Sequence, residues 1–324
     1  VATLLFIPAS ICVNGAFTFC TAMPPAISNE RHVSAVISMT VGFGYAGSLV
    51  CMFVLSKLVP SDELAGRVFL PMALIYLVLA FPAMYLAPDF PSKARSRMDI
   101  VAAYGRTRQT FREARRHRYL FRFLLADFLY ENAVASVITL MGLYSRNVMG
   151  FKSSELAMLF GPAIAVAMLS AWFVFGPLVR AIGPKKTVLL DLFIWLLLFA
   201  MVLMIHPGTS LDLGHLHIGA KTLFAATIAP LAGMGLAGVW SSSRVMLTAL
   251  TPAEKSGEFW GLYNLSGRTA SVLGDATWSF ALTILGEQIF GYQIAVVALA
   301  VYVLLGAVMI ATLPDVRPSP QNFL

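Results

Sequence analysis

The chain has 324 residues, of which 58% are hydrophobic and 12% charged, with a mean hydropathy of +0.78. A soluble domain carries about 25% charged residues, so this composition cannot clothe a water-soluble globule of the same size. The net charge of +7 has the sign of a nucleic-acid binder, but the cations flank apolar segments, where they set membrane topology.

A helix spans the hydrocarbon core with ~20 apolar residues. Nine candidate runs follow one another along the chain: 2–24, 35–58, 67–87, 119–146, 155–179, 186–206, 218–242, 257–284 and 289–313. They are continuous and lack two-residue alternation, so they read as helices and not as barrel strands. Pro24-Pro25, Pro60, Pro88, Gly183-Pro184, Pro207-Gly208, Pro252 and Pro314 punctuate their ends. The expected fold is therefore all-α, a polytopic membrane helical bundle. Cys12, Cys20 and Cys51 lie inside apolar runs and read as small buried hydrophobes.

Residues 1–88 form a partial N-terminal bundle of three helices. Asn14 is a polar group within the first. In the second, Gly42 to Gly47 formally matches GxGxxG, but no strand precedes it, so no dinucleotide site is expected. Small residues at Gly42/Ala46 and Gly44/Ser48 have the spacing of close helix contacts, repeated at Gly233/Ala237 and Gly257/Gly261.

Residues 89–118 are a basic linker containing Lys93, Arg95, Arg97, Arg106, Arg108, Arg112, Arg115, Arg116 and Arg118. The positive-inside rule makes it cytoplasmic. Threading the helices from it puts 17 cations inside, Arg244 among them, and 5 outside, with Arg268 the remaining one of 23. The linker reads as topogenic, in part an amphipathic helix resting on anionic lipid through Tyr104, Phe111 and Tyr119. No nucleic-acid-binding fold accompanies its charge, so no nucleic-acid partner is expected.

Residues 119–314 form a six-helix C-terminal bundle, followed by a cytoplasmic tail at 315–324. Two of its runs carry charge. One holds Asp127, Tyr130, Glu131 and Asn132; another holds Tyr263, Asn264, Ser266, Arg268 and Asp275. At ~1.5 Å per residue, Glu131 lies ~18 Å and Arg268 ~16 Å from the same membrane face. They are expected to meet near the midplane, where an uncompensated charge costs a few kcal/mol. Two readings fit. One is a buried ion pair that fixes helix register. The other is a solute site in which Arg268 attracts an anionic group while Glu131 or Asp127 carries a proton. Trp240, Trp260 and Trp278 read as interface anchors or packing residues.

His215 and His217 form an HxH pair near Asp212, an incomplete set for zinc. A flexible polar loop, with no metal, is expected there. No Walker loop, GxSxG or catalytic cluster stands out, so neither a cofactor nor an enzymatic activity is expected.

Two stretches resemble a known family. Phe175-Gly-Pro-Leu-Val-Arg180-Ala-Ile-Gly183-Pro-Lys185-Lys186 resembles a degenerate form of the major facilitator superfamily loop signature G-x-L-x-D-x-x-G-x-K/R-K. Val179 or Arg180 occupies its acidic position. The resemblance gives Arg180, Gly183, Lys185 and Lys186 a gating role. Thr251-Pro-Ala-Glu-Lys-Ser-Gly-Glu258-Phe-Trp-Gly-Leu-Tyr263-Asn-Leu-Ser-Gly267-Arg268-Thr-Ala-Ser-Val-Leu-Gly274 is similar to the penultimate-helix signature of the superfamily's vacuole-effluxer-like branch. Leu129-Tyr130-Glu131-Asn132-Ala133 resembles that branch's seventh-helix L-Y-N-D-G, with an acid one place earlier and Ala133 in place of Gly. Asn14 to Pro24 and Gly42 to Gly47 are similar to its fourth and fifth helices.

The alignment thus starts at about the fourth helix and agrees with the 3+6 count, as for a 6+6 chain without its first three helices. Val1 opens directly in an apolar run, so a fragment or a non-standard start codon is expected. The resemblance implies a secondary transporter that moves a small polar solute, an amino acid by analogy with the branch's fungal members, with protons as a candidate coupling ion. A non-transporting scaffold or receptor, or an inactive truncated fragment, are the alternatives. Ala/Arg usage and compact loops suit a bacterial inner membrane. The oligomeric state is left open.

Overall fold

The computed structural model describes residues 2–58, 69–86, 100–213, 216–286 and 288–319. Its elements in chain order are α1 (Ala2–Ala26), α2 (Val33–Leu58), α3 (Phe69–Leu86), α4 (Ile100–Ala114), α5 (Arg118–Asn147), α6 (Ser153–Ser170), a π-helical turn (Ala171–Phe175), α7 (Gly176–Ile182), α8 (Pro184–Met204), β1 (Ser210–Leu213), β2 (Leu216–Gly219), α9 (Ala220–Leu250), a 3-10 turn (Ala253–Lys255), α10 (Ser256–Leu285) and α11 (Ile289–Ala311). Seven spans among the described residues are long and apolar enough to cross a membrane. The chain is an integral, multi-pass membrane protein built as a helical bundle.

All nine apolar runs hold helix over their described residues, because a backbone in lipid must satisfy its own hydrogen bonds. The seventh run extends further than its apolar stretch suggests: α9 continues to Leu250, which carries Arg244 into the bundle. The fifth run is interrupted, since the π turn separates α6 from α7. The HxH region differs from the expected flexible loop. Residues 210–213 and 216–219 pair as an antiparallel hairpin, with Asp212 opposite His217. His215 lies outside the described residues.

α5 packs against α10 and α11, α8 against α9 and α11, and α6 against α9. α2 lies across α6, the π turn and α9, while α1 touches α10 and α2. Trp195, Trp260, Tyr130, Tyr292, Phe123 and Phe259 fill the centre as fully buried side chains.

Glycine brings some of these backbones into contact. A Cβ at Gly233 would lie 2.0 Å from the Ala163 carbonyl oxygen, and one at Gly274 would lie 2.3 Å from that of Asn132. Gly42 accommodates the Trp172 indole, which a Cβ would meet at 2.0 Å. Gly44, Gly257 and Gly261 face open space instead, so their spacing does not mark helix contacts.

α4 is the amphipathic helix expected in the basic linker. Thr110 and Ala114 are buried against the bundle, while Phe111 and Tyr119 remain exposed. Tyr104 is described in its backbone alone. The Thr110 hydroxyl donates to Glu258 Oε2 at 3.0 Å, and Lys255 pairs with Glu113. The Lys255 hydrogen bond, helped by Gln109, holds the Glu113 carboxyl below the usual range, and Glu113 in turn raises the Lys255 ammonium.

The turn between α7 and α8 is set by Gly183, whose φ of 87° lies in the region glycine adopts most readily. Lys185 Nζ donates to the carbonyls of Ala311 and Leu313, closing the C-terminal end of α11. Lys186 pairs with Asp315 at 3.7 Å, and Arg317 donates to the Ala181 carbonyl. Asp315, from beyond α11, thus supplies an acid to this turn. Arg180 lines a pocket with Arg31 and Arg317 at this end of the bundle.

Candidate functional site

A cavity of about 340 Å³ opens between α1, α5, α9 and α10. Each helix contributes one face. α5 brings Asp127, Glu131, Ala135, Ile138 and Thr139, which recur three or four residues apart along one stripe. α10 brings Tyr263, Asn264, Gly267, Arg268, Ser271 and Asp275 by the same periodicity. α9 supplies Trp240 and Arg244, one turn apart, and α1 supplies Phe17.

The two arginines share one aromatic ring. Arg268 Cζ lies 5.5 Å and Arg244 Cζ 5.8 Å from the centroid of Phe17. Both guanidiniums are thus held by a ring face, which attracts cations without neutralising them. Arg244 also lies 6.0 Å from the Trp240 ring. From α5, Glu131 Oε1 accepts from Trp240 Nε1 at 3.2 Å. Asp127 is buried one turn away, and its Oδ1 accepts from the Tyr130 hydroxyl at 2.7 Å. That hydroxyl also meets Ser243 Oγ of α9 at 2.7 Å, tying α5 to α9 behind the cavity.

Charges of both signs thus face the same space. The ion pairs among the described residues are Lys186–Asp315, Lys221–Glu155 and Lys255–Glu113, all at the ends of the bundle. Glu131 and Arg268 meet across the cavity but do not pair within 4 Å, so the expectation of a buried register-fixing ion pair is not met. Glu131 Oε2 and Asp127 Oδ2 are buried without a hydrogen-bond partner among the described residues.

Of the residues singled out from the sequence, Asp127, Glu131, Asn264, Arg268 and Asp275 line the cavity together. Asp275 is fixed to α5 by the Thr139 hydroxyl at 2.9 Å, and Asn264 donates to Thr21 of α1 at 3.1 Å. Tyr130, Asn132 and Asn14 do not line it. Tyr130 supports Asp127 from behind; Asn132 and Asn14 turn back to the backbone carbonyls of Leu129 and Ser10. Ser266 lines a separate apolar recess beside Phe111 and Phe121. The gating-loop set of Arg180, Gly183, Lys185 and Lys186 lies at the end of the bundle, away from the cavity.

Two cavity residues carry no reliable sequence signal. Arg244 falls near a helix end, where a topological cation is the default, yet it is only 8% exposed. Trp240 stacks on Tyr45 of α2 at 5.9 Å and lies between the polar cavity and an apolar one of about 320 Å³. Trp260 and Trp278, in contrast, are packing residues as expected.

Comparison with known proteins agrees with this architecture. The chain is 24% identical to an uncharacterized MFS-type transporter, YxiO, of Bacillus subtilis (strain 168), over 96% of this chain and 71% of the relative. It is also 24% identical to an uncharacterized protein of Aquifex aeolicus (strain VF5), over 87% of this chain and 65% of that one. The chain thus spans about two thirds of the length of these relatives. The Bacillus protein's name and the description of the family whose model matches this chain both point to a transporter of the major facilitator type. That model, vacuole effluxer Atg22 like, covers residues 10–318, and the chain belongs to this family.

Proposed function

We propose that the chain is a secondary active transporter of a small zwitterionic solute, an amino acid or a close analogue, working by alternating access. The observation that carries this reading is the set of unpaired charges of both signs facing one cavity in the membrane-spanning bundle. Holding a charge at this depth costs ~2.5–3.5 kcal/mol on insertion scales. A scaffold has no use for that expense, whereas a solute that brings a carboxylate and an ammonium offsets it on both walls.

In this reading Arg268 and Arg244 receive the carboxylate, with Phe17 fixing their planes. Glu131 receives the ammonium or a coupling proton, and Asp127 stands behind it. The 89–118 linker faces the cytoplasm of a bacterial cell. Residues 1–88 and 119–314 move as two bodies about the cavity, and the turn at Gly183 belongs to the inner gate.

Thermal unfolding of the purified chain with a panel of solutes tests the class. A ligand at 100 times its Kd stabilises the folded form by ~2.7 kcal/mol. Amino acids should raise Tm, while the matching carboxylic acids and amines, each with one charge, should raise it far less. Arg268→Ala should abolish the shift. Glu131→Gln should weaken the pH dependence of uptake into proteoliposomes. No shift with any zwitterion, together with no flux, would favour the scaffold reading.

A further inference from the structure

The centre of α8 holds an acid that the cavity does not use. Asp191 is fully buried, and both its oxygens lack a hydrogen-bond partner among the described residues. It does not line the solute cavity. Gly238 of α9 presses directly on the carboxyl: a Cβ there would lie 1.9 Å from Asp191 Oδ1 and 2.6 Å from Phe175 Cζ. The group is thus enclosed between α9 and the last residue of the π turn.

The charges on the elements around it offer no counter-ion. α11 and the π turn contain no acidic or basic residue, and Arg180 of α7 is exposed. On α9, Arg244 turns toward Phe17 and Trp240. Tyr45, a titratable group of α2, stacks on Trp240. The tyrosines of α11, Tyr292 and Tyr302, are engaged with Asn147 and Thr277. A carboxylate ion in this place would have neither donor nor cation, a state that costs far more than the neutral acid.

The surroundings also couple this acid to the two-body motion. Phe175 ends the π turn whose Trp172 donates to the Met39 carbonyl at 3.4 Å and packs on Gly42 of α2. π turns are local departures from α geometry and concentrate at functional sites. Val41 and Tyr45 of α2 pack in one cluster with Phe175, so displacing α2 unpacks one of the side chains that seal Asp191. Tyr45, whose buried hydroxyl has no hydrogen-bond partner among the described residues, joins the Phe175 cluster to Trp240.

We propose that Asp191 is a proton-binding site separate from the solute cavity. It holds a proton in the arrangement described here and releases it to water when the two bodies part. The bookkeeping is one proton bound by one carboxylate, with no other chemistry. This rests on the transporter reading for its consequence, a proton moved with each cycle, but not for its chemistry.

The test uses the full chain in proteoliposomes and the isosteric variant Asp191→Asn. Solute exchange without a gradient should match the wild type. Accumulation driven by a one-unit pH gradient should fall about tenfold, the worth of one coupled proton. Undiminished accumulation in the variant would overturn the proposal. A second readout needs no variant: dicyclohexylcarbodiimide adds to neutral carboxyls in apolar sites, and mass spectrometry locates the adduct. Asp191 in the wild type should be labelled at neutral pH, faster during solute exchange than at rest. No label in either condition would overturn the proposal, even if Asp191→Asn failed to fold. Absence of wild-type exchange would instead refute the transporter reading, and the labelling would still decide Asp191.

Discussion

At the scale of single residues, glycine and charge do opposite work. Gly233 lets α9 touch the α6 backbone, whereas Gly261 on α10 faces open space. Gly233→Ala should therefore force the two backbones apart and cost ~1–3 kcal/mol. Gly261→Ala should be neutral or stabilise α10 by up to ~1 kcal/mol through helix propensity. Thermal unfolding of both variants in one detergent measures the contrast, and similar shifts would contradict the packing described. The sequence spacing of small residues does not separate these two glycines, because it is blind to which face of a helix meets a neighbour. Charge is easier to read. Asp127, Glu131, Arg268 and Asp275 stand out within apolar runs because lipid makes them costly. Arg244 lies beyond the apolar run of its helix and looks like a flanking residue until the full length of α9 is known.

At the scale of elements, seven of the described helices are long and apolar enough to cross a membrane, and the helices of the nine apolar runs are legible in the sequence because continuous apolar runs admit few alternatives. The π turn is not, since its residues, Ala171 to Phe175, are as apolar as a regular turn would be. Docking of α4 depends on contacts between distant parts of the chain, Thr110 with Glu258 and Glu113 with Lys255. These contacts give α4 a pH dependence. Glu113 is held below its ordinary range, so its contribution is present at neutral pH and is lost as pH falls through the lowered value. Lys255 is raised, so its contribution is complete below the ordinary lysine range and disappears only as pH rises through the raised value. Between those limits α4 should stay docked. Limited proteolysis after Arg108 and Arg112 should be slow at pH 7 and accelerate in acid. Lys255→Ala should remove most of the difference between the two conditions, and a rate independent of pH would rule out this role for the pair.

At the scale of the whole molecule, two sets of contacts join α1–α2 to the remaining helices. On one side α1 meets α10 across the polar cavity, through Phe17 with the arginines and Thr21 with Asn264. On the other, α2 meets α6, the π turn and α9, through Met39, Gly42 and Phe43 around Trp172 and through Tyr45 on Trp240. Interfaces between packed bodies are bistable and do not deform continuously, so rocking must break one set while the other acts as a pivot. The α2 set is apolar and closely fitted, with Gly42 against an indole. It also leads to Trp240, which lies between the polar and apolar cavities. A short bismaleimide bridging Met39→Cys and Trp172→Cys, after replacement of Cys12, Cys20 and Cys51, would hold this side closed. Solute should still raise Tm, because the cavity walls are untouched, while exchange in proteoliposomes should stop and return when a cleavable bridge is cut. Exchange that continues with the bridge in place would mean that α2 and the π turn move as one body; the pivot would then lie on this side, and the α1–α10 contacts would be the set that breaks.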